Sequence, residues 1–336
     1  MDTKTIALAA GVLALAAGTS QAETTLRIQS QMTPESISGR LIQQFARDVE
    51  DLSGGDLKIE LFLSASVVDA GDTFDAAANG ILDCDMTNAT YITGKNPAFQ
   101  FASDTMGGYD TPMQFQAWIH EGGGAEAMTE LYAQYGMTWV ATYVGAQESL
   151  VSTRPIRGVA DLKGWKFRSP PGMESDIFSR LGASAVVMDS SEVFTALETR
   201  IIDGADFSSL SDNDGIGLYD VAKYSTYPGF HSMSADHLAC NTTVWDSLTD
   251  QQRAIIKTAA DKLSLAYVTR MLAADNSAAA ELREKGVELS DWSAEDRAAF
   301  RQAAVASWDE WAAKSPETAK LVESHKSFLR SIGMLD

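Results

Sequence analysis

Apolar positions in the first third of the chain change period in a regular way. Residues 26–30 alternate as a strand; Ile37, Leu41, Ile42, Phe45, Val49 and Leu52 recur at helical spacing; and 57–62 alternates again behind Gly54-Gly55. This is a βαβ unit. A helix over 73–79 and a strand over 84–87 extend it, which predicts a mainly parallel sheet with helices on its faces. A polar, glycine-containing stretch over 96–110 leads to a helix from Pro112 that ends near Gly122-Gly123-Gly124. A second α/β series begins near Thr138, with strands predicted over 139–143, 150–153, 165–168, 185–187 and 205–207. Helices are predicted over 175–181 and 191–199, the second opened by Asp189 with Glu192 three residues on. From Thr249, which with Gln252 makes a capping box, helix-compatible residues run without Pro or Gly to Gly286. The predicted helix has about 36 residues and a length of about 54 Å, enough to run the length of two lobes.

The chain has 336 residues, 45% of them apolar, which suits about two domains. Its first 22 residues read differently. Lys4 precedes an apolar run over 6–17, and Ser20-Gln21-Ala22 places small residues before a cut after Ala22, the pattern of a secretory signal peptide. That run is shorter than the roughly 18 residues a membrane span needs. The net charge of −20 argues against nucleic-acid partners and anionic membrane surfaces. Cys84 and Cys240 both lie in strand-like segments. In an oxidising compartment they either pair across neighbouring strands or stay as two buried thiols. No CxxC or HxxxH spacing points to a metal.

Catalytic templates are missing: there is no GxSxG, HExxH, Walker loop or GxGxxG, and His120, His231, His237 and His325 are dispersed. Asp212-Asn213-Asp214-Gly215 lacks the later glutamate of a calcium loop and reads as a solvated turn. Asp203 and Asp206 are spaced as paired carboxylates, though most such pairs only end strands or cap helices. One constellation stands out. Asp161-Leu162-Lys163-Gly164-Trp165-Lys166-Phe167-Arg168 delivers Arg168 to the carboxyl end of a strand, ahead of a Ser-Pro-Pro-Gly loop. Ligands of α/β sheets gather at that end, and a guanidinium matches a carboxylate bidentately. The competing reading is an arginine in an ordinary surface ion pair.

Leu162 to Arg168, followed by Leu181-Gly182-Ala183, by Glu192-Val193-Phe194-Thr195-Ala196-Leu197-Glu198 and by Ile202-Asp203-Gly204-Ala205, resembles the solute-binding proteins of tripartite ATP-independent periplasmic (TRAP) transporters, the DctP-type family. Gly94-Lys95-Asn96-Pro97-Ala98 and the 241–256 segment extend the resemblance over essentially the whole mature chain. It implies an α/β, two-lobed (Venus-flytrap) periplasmic binding protein with a long helix spanning both lobes. Lobe I would comprise 23–144 and 236–274, and lobe II 145–235 and 275–336 with the C-terminal helices. It also implies a small organic acid ligand anchored by Arg168, and a small and a large membrane subunit as partners in transport.

Tyr224 to His231 and Gly145-Ala146-Gln147 are most similar to the 2-oxoacid and hydroxy-acid binders, some of which hold a cation beside the ligand. By that resemblance Gln147 and Asp206 give side-chain oxygens to a calcium or sodium ion. Phe207 gives a backbone carbonyl to the ion and a ring to the ligand, and Tyr91 hydrogen-bonds the ligand. No other cofactor is implied. Two departures weaken the metal: Phe207 stands where Trp is usual, and Ser232 where an acid is expected. The metal-free account, in which Asp206 pairs Arg168 until ligand arrives, is therefore preferred. Structural readings stand beside each assignment: Tyr91 and Phe207 as core aromatics, Gln147 as a partner for strand-end backbone, His231 and His237 as structural histidines. The rival functions are an exported enzyme acting on carboxylates, and a binding protein serving an ATP-driven importer or a sensor.

Overall fold

The structure, a computed structural model, describes residues 24–170, 172–188 and 190–336. The expected signal peptide and the cap expected at Asp189 lie outside the described residues. β1 (Thr24–Gln29), α1 (Ile37–Leu52) and β2 (Leu57–Phe62) form the expected βαβ unit. Ser36 caps α1 by accepting from the Gly39 amide, and Ile42, Phe45 and Val49 bury its inner face. Then come α2 (Thr73–Ala78), β3 (Cys84–Asp85), α3 (Phe99–Ser103), α4 (Pro112–Glu121), α5 (Gly124–Ala133) and β4 (Met137–Val144). The 96–110 stretch is not the polar connector expected. Phe99, Phe101 and Tyr109 are buried in the largest core cluster, because α3 drives its aromatic residues under the later helices.

The chain crosses to a second lobe made of β5 (Val151–Ser152), β6 (Lys166–Ser169), α6 (Met173–Arg180), β7 (Ser184–Val187), α7 (Val193–Glu198), β8 (Gly204–Ala205), α8 (Leu210–Gly215), α9 (Leu218–Val221) and β9 (Tyr224–Thr226). It returns through β10 (Ala235–Asn241) and α10 (Thr242–Ser247) to α11 (Asp250–Glu284), then β11 (Glu288–Ser290), α12 (Ala294–Ala312) and α13 (Pro316–Ser331). The first sheet has the order β2-β1-β3-β10-β4, and the second β11-β9-β5-β8-β6-β7. Both are mixed. β1 runs parallel to β2 and β3, but β10 arrives from the other lobe and runs antiparallel to β3 and β4, which breaks the expected parallel pattern. That pairing sets Cys240 opposite Cys84, and the two form a disulfide.

α11 is the long helix the sequence predicts. Its capping box forms between Thr249 and Gln252, and Gly286, at φ +79°, follows its end. Ile256, Ala259, Leu263, Tyr267 and Met271 join the core of the first lobe, and Ala278, Ala279 and Leu282 that of the second. The C-terminal helices, expected with lobe II, divide: α12 packs on α6, whereas α13 packs on α3 and α5 of the first lobe. Between the lobes, the β4–β5 and β9–β10 connections lie side by side, with the Gly145 amide donating to the Ser234 carbonyl (2.8 Å) and the Glu148 amide to that of Ser232 (3.0 Å). A Cβ at Gly229 would lie 1.9 Å from the Glu148 carbonyl oxygen, so only glycine permits this approach.

Candidate functional site: an acid-rich cleft around Arg168

The two lobes and their crossings enclose a cavity of about 610 Å³. Arg168 reaches it from β6 by strand alternation: Phe167, on the opposite face, stacks on Trp165 at 4.7 Å and packs on Phe178. Arg168 as a whole is 8% exposed. Its Nε donates to the Met188 carbonyl (3.2 Å) and its Nη1 to the Asp206 carbonyl (2.8 Å). The surface-pair reading of Arg168 therefore does not hold. Nor does the expected pairing with the Asp206 carboxylate: that group accepts from His231 Nε2 (2.8 Å), and Arg168 bonds only the Asp206 main chain.

Tyr91, Asp206 and Phe207 line the same cavity as Arg168. Tyr91 is 50% exposed, so it is not a core aromatic. Gln147 is outside the lining; its amide donates to the Asp110 carbonyl, and the next residue, Glu148, faces the cavity instead. His237 is structural, held by Asp85 (2.9 Å) and Tyr132 (3.0 Å) within the first lobe, while His231 is part of the site through Asp206.

Three acids that sequence reasoning missed share the wall with Asp206: Asp104, Glu148 and Glu174. Asp104 accepts from Ser232 (2.6 Å), so the serine standing in place of an acid borrows one from the α3 end. Glu174 accepts from Ser169 (2.8 Å) through Oε2, and its Oε1 is buried without a partner. Burial raises Glu148 and Glu174 well above the usual carboxylate range, with the Asp206 charge adding to it. Burial also raises Asp104, against the hydrogen bond from Ser232. For Asp206 burial acts upward too, but His231 and Arg168 outweigh it and hold the carboxyl below its ordinary value. The site thus keeps one firmly ionised carboxylate beside the guanidinium, among acids that favour their protons. Nothing in the local sequence marks Asp104, Glu148 and Glu174, because they come from three separate segments.

The family model of bacterial extracellular solute-binding protein family 7 (DctP) matches residues 28–315. The chain belongs to this family. The family-7 protein is 29% identical over 289 residues to a monocarboxylate 2-oxoacid-binding periplasmic protein of Nostoc sp., covering 85% of this chain and 79% of the relative. A TRAP periplasmic solute-binding protein of Rhodobacter sphaeroides, solved in an apo open form, superposes with a TM-score of 0.87 at 33% identity, covering 93% of this chain and 99% of that one. Another, from Pseudoalteromonas atlantica with bound sodium and pyruvate, gives 0.76 at 26% identity, covering 92% and 95%. The two-lobed α/β fold and the solute-binding class follow. No helix among the described residues is long and apolar enough to cross a membrane.

Of the residues expected to hold a cation, Asp206 and Phe207 line the cavity while Gln147 does not, and Glu148 offers a carboxylate in its stead. One donor atom each from Glu148, Asp206 and His231 lies within 4.8 Å of the others, and the orphaned Glu174 Oε1 shares the wall. Carboxylate oxygens suit calcium or sodium. The imidazole is already committed to Asp206.

Proposed function

We propose that this protein captures a small organic acid anion, a 2-oxo or hydroxy monocarboxylate, in the periplasm and delivers it to the small and large membrane subunits of a TRAP transporter. The signal peptide ending at Ala22 would route it there. The observation that carries the ligand class is Arg168: a buried guanidinium at the carboxyl end of β6 whose main-chain bonds fix two donors and leave the others for the cavity. Similarity to the Nostoc 2-oxoacid binder and to the pyruvate-bound structure supports the acid class. Phe207 supplies an apolar wall for the carbon chain, and Tyr91 a hydroxyl from the first lobe. A cation, when bound, would sit among Glu148 and Asp206 and neutralise carboxylates next to the incoming anion.

A thermal-shift screen over C3 to C6 organic acids tests the reading. A true ligand at 100 times its dissociation constant adds about 2.7 kcal/mol to stability, a shift that is readily seen. Stabilisation by carboxylates but not by sugars or amines is the expected result. A screen in which only neutral or cationic solutes stabilise the protein would reject the assignment.

A further inference from the structure

The part of the cavity wall that belongs to the first sheet has a hydrogen-bonding character the reverse of Arg168. Gln31 lies just past the end of β1, Asn88 just past β3, and Asp236 at the start of β10, which runs antiparallel to β3, so all three meet at one end of the inner strands of the first sheet. All three line the cavity. Their amides are fixed in orientation. Asn88 Oδ1 accepts from the Thr90 amide (2.9 Å) and the Ser103 hydroxyl (2.9 Å), which turns its Nδ2 toward Asp236 Oδ1 (3.1 Å). Gln31 Nε2 donates to the same oxygen (3.3 Å).

Both amides turn a donor onto Asp236 Oδ1, and acceptors are left over. Gln31 Oε1 is buried without a partner, and Asp236, only 6% exposed, accepts nothing at Oδ2 from the described residues. Burial pushes the Asp236 carboxyl up to about 6, against the hydrogen bond from Asn88, so it is still an anionic acceptor at neutral pH. A buried acceptor left unpaired is costly, and a site built around one rejects ligands without the matching donor.

We propose that Asp236 and Gln31 form an acceptor subsite on the first lobe, which takes an O–H or N–H donor that the ligand carries at the end remote from its carboxylate. The inference rests on the carboxylate reading of Arg168 and narrows it: the natural ligand is an acid bearing a distal hydroxyl or ammonium, not a purely apolar acid.

Calorimetry on the whole protein tests this with matched acids of four to six carbons, each as the plain alkanoate, the ω-hydroxy acid and the ω-amino acid. At one chain length or more, a hydroxy or amino acid should bind at least about tenfold more tightly than its alkanoate. Which of the two wins names the donor. Asp236→Asn replaces the anionic acceptor with an amide, so the ratio of the preferred acid's affinity to that of its alkanoate should fall at least about threefold. Gln31→Met, which removes the second acceptor, gives an independent check should the first variant fold poorly. Equal affinities across each matched set, or a preference untouched by both variants, would overturn the subsite and leave the carboxylate reading intact. No binding by any acid in the panel, with the 2-oxo and 2-hydroxy acids of the thermal-shift screen equally silent, would overturn both.

Discussion

Replacing Arg168 with alanine separates binding from folding. An arginine has five N–H donors. Two are spent on the Met188 and Asp206 carbonyls, which leaves three for a ligand carboxylate. Removing one partner of a buried, hydrogen-bonded charge pair costs about 2 to 5 kcal/mol, so acid affinity should fall by roughly 30-fold to several thousandfold. The two carbonyls lose their partners beside a water-accessible cavity, so the stability cost should stay near about 1 kcal/mol each. Calorimetric titration with the best acid from the screen, alongside thermal unfolding, measures both quantities. Arg168→Lys should recover only part of the affinity, because a point charge cannot form two parallel bonds or hold both carbonyls. An Arg168→Ala protein that is folded and binds the acid within threefold of the parent would refute the reasoning.

Calcium or sodium should raise acid affinity by about tenfold, and Glu148→Gln should abolish that increment; an affinity indifferent to both ions and to chelator removes the cation. Replacing Cys84 and Cys240 with serine opens a link between residues 156 apart, and the chain-entropy model puts the loss at about 5 kcal/mol. Thermal unfolding reads it directly, and an unchanged midpoint would mean that the bond does not constrain the unfolded chain. Asp236 has a folded pKa above that of the unfolded chain, so its contribution is fully present below about pH 4 and is lost as pH rises through about 6. Asp236→Asn should therefore gain on the parent by about 2 to 3 kcal/mol between those limits; a difference that does not vary with pH would contradict the buried carboxylate.

Local periodicity made most of the architecture legible in the sequence. The βαβ opening, the end-of-strand position of Arg168 and the span of α11 all depend on local signals, namely apolar spacing, caps and glycine stops. The direction of β10 does not, since a strand that returns from another lobe carries no mark of its polarity. Arg168 could be named from its own strand-end motif, whereas Asp206 and Phe207, on a separate segment, were legible only through the family resemblance. Glu148 was missed by one position: strand-end register decides whether Gln147 or its neighbour faces the cleft, and the bonding of Gln147 to Asp110 turns it away. Glu174 and Asp104 look like ordinary acids near helix ends, and only folding brings them to Asp206.

α11 is embedded in two cores. Met271 is held in the first, while Asp275, accepting from the Ser211 amide (2.9 Å) and hydroxyl (2.6 Å), ties the next turn to the second. Any rotation of one lobe toward the other must then be absorbed by Leu272, Ala273 and Ala274, less than one turn of a rod with no proline or glycine to kink it. A continuous helix flexed over so short a length behaves as a leaf spring. If a ligand draws the lobes together, the helix itself opposes the bend imposed on this stretch, so reopening would be favoured once the ligand leaves. Amide exchange over 272–274 should respond to ligand while the turns clamped on either side stay unchanged.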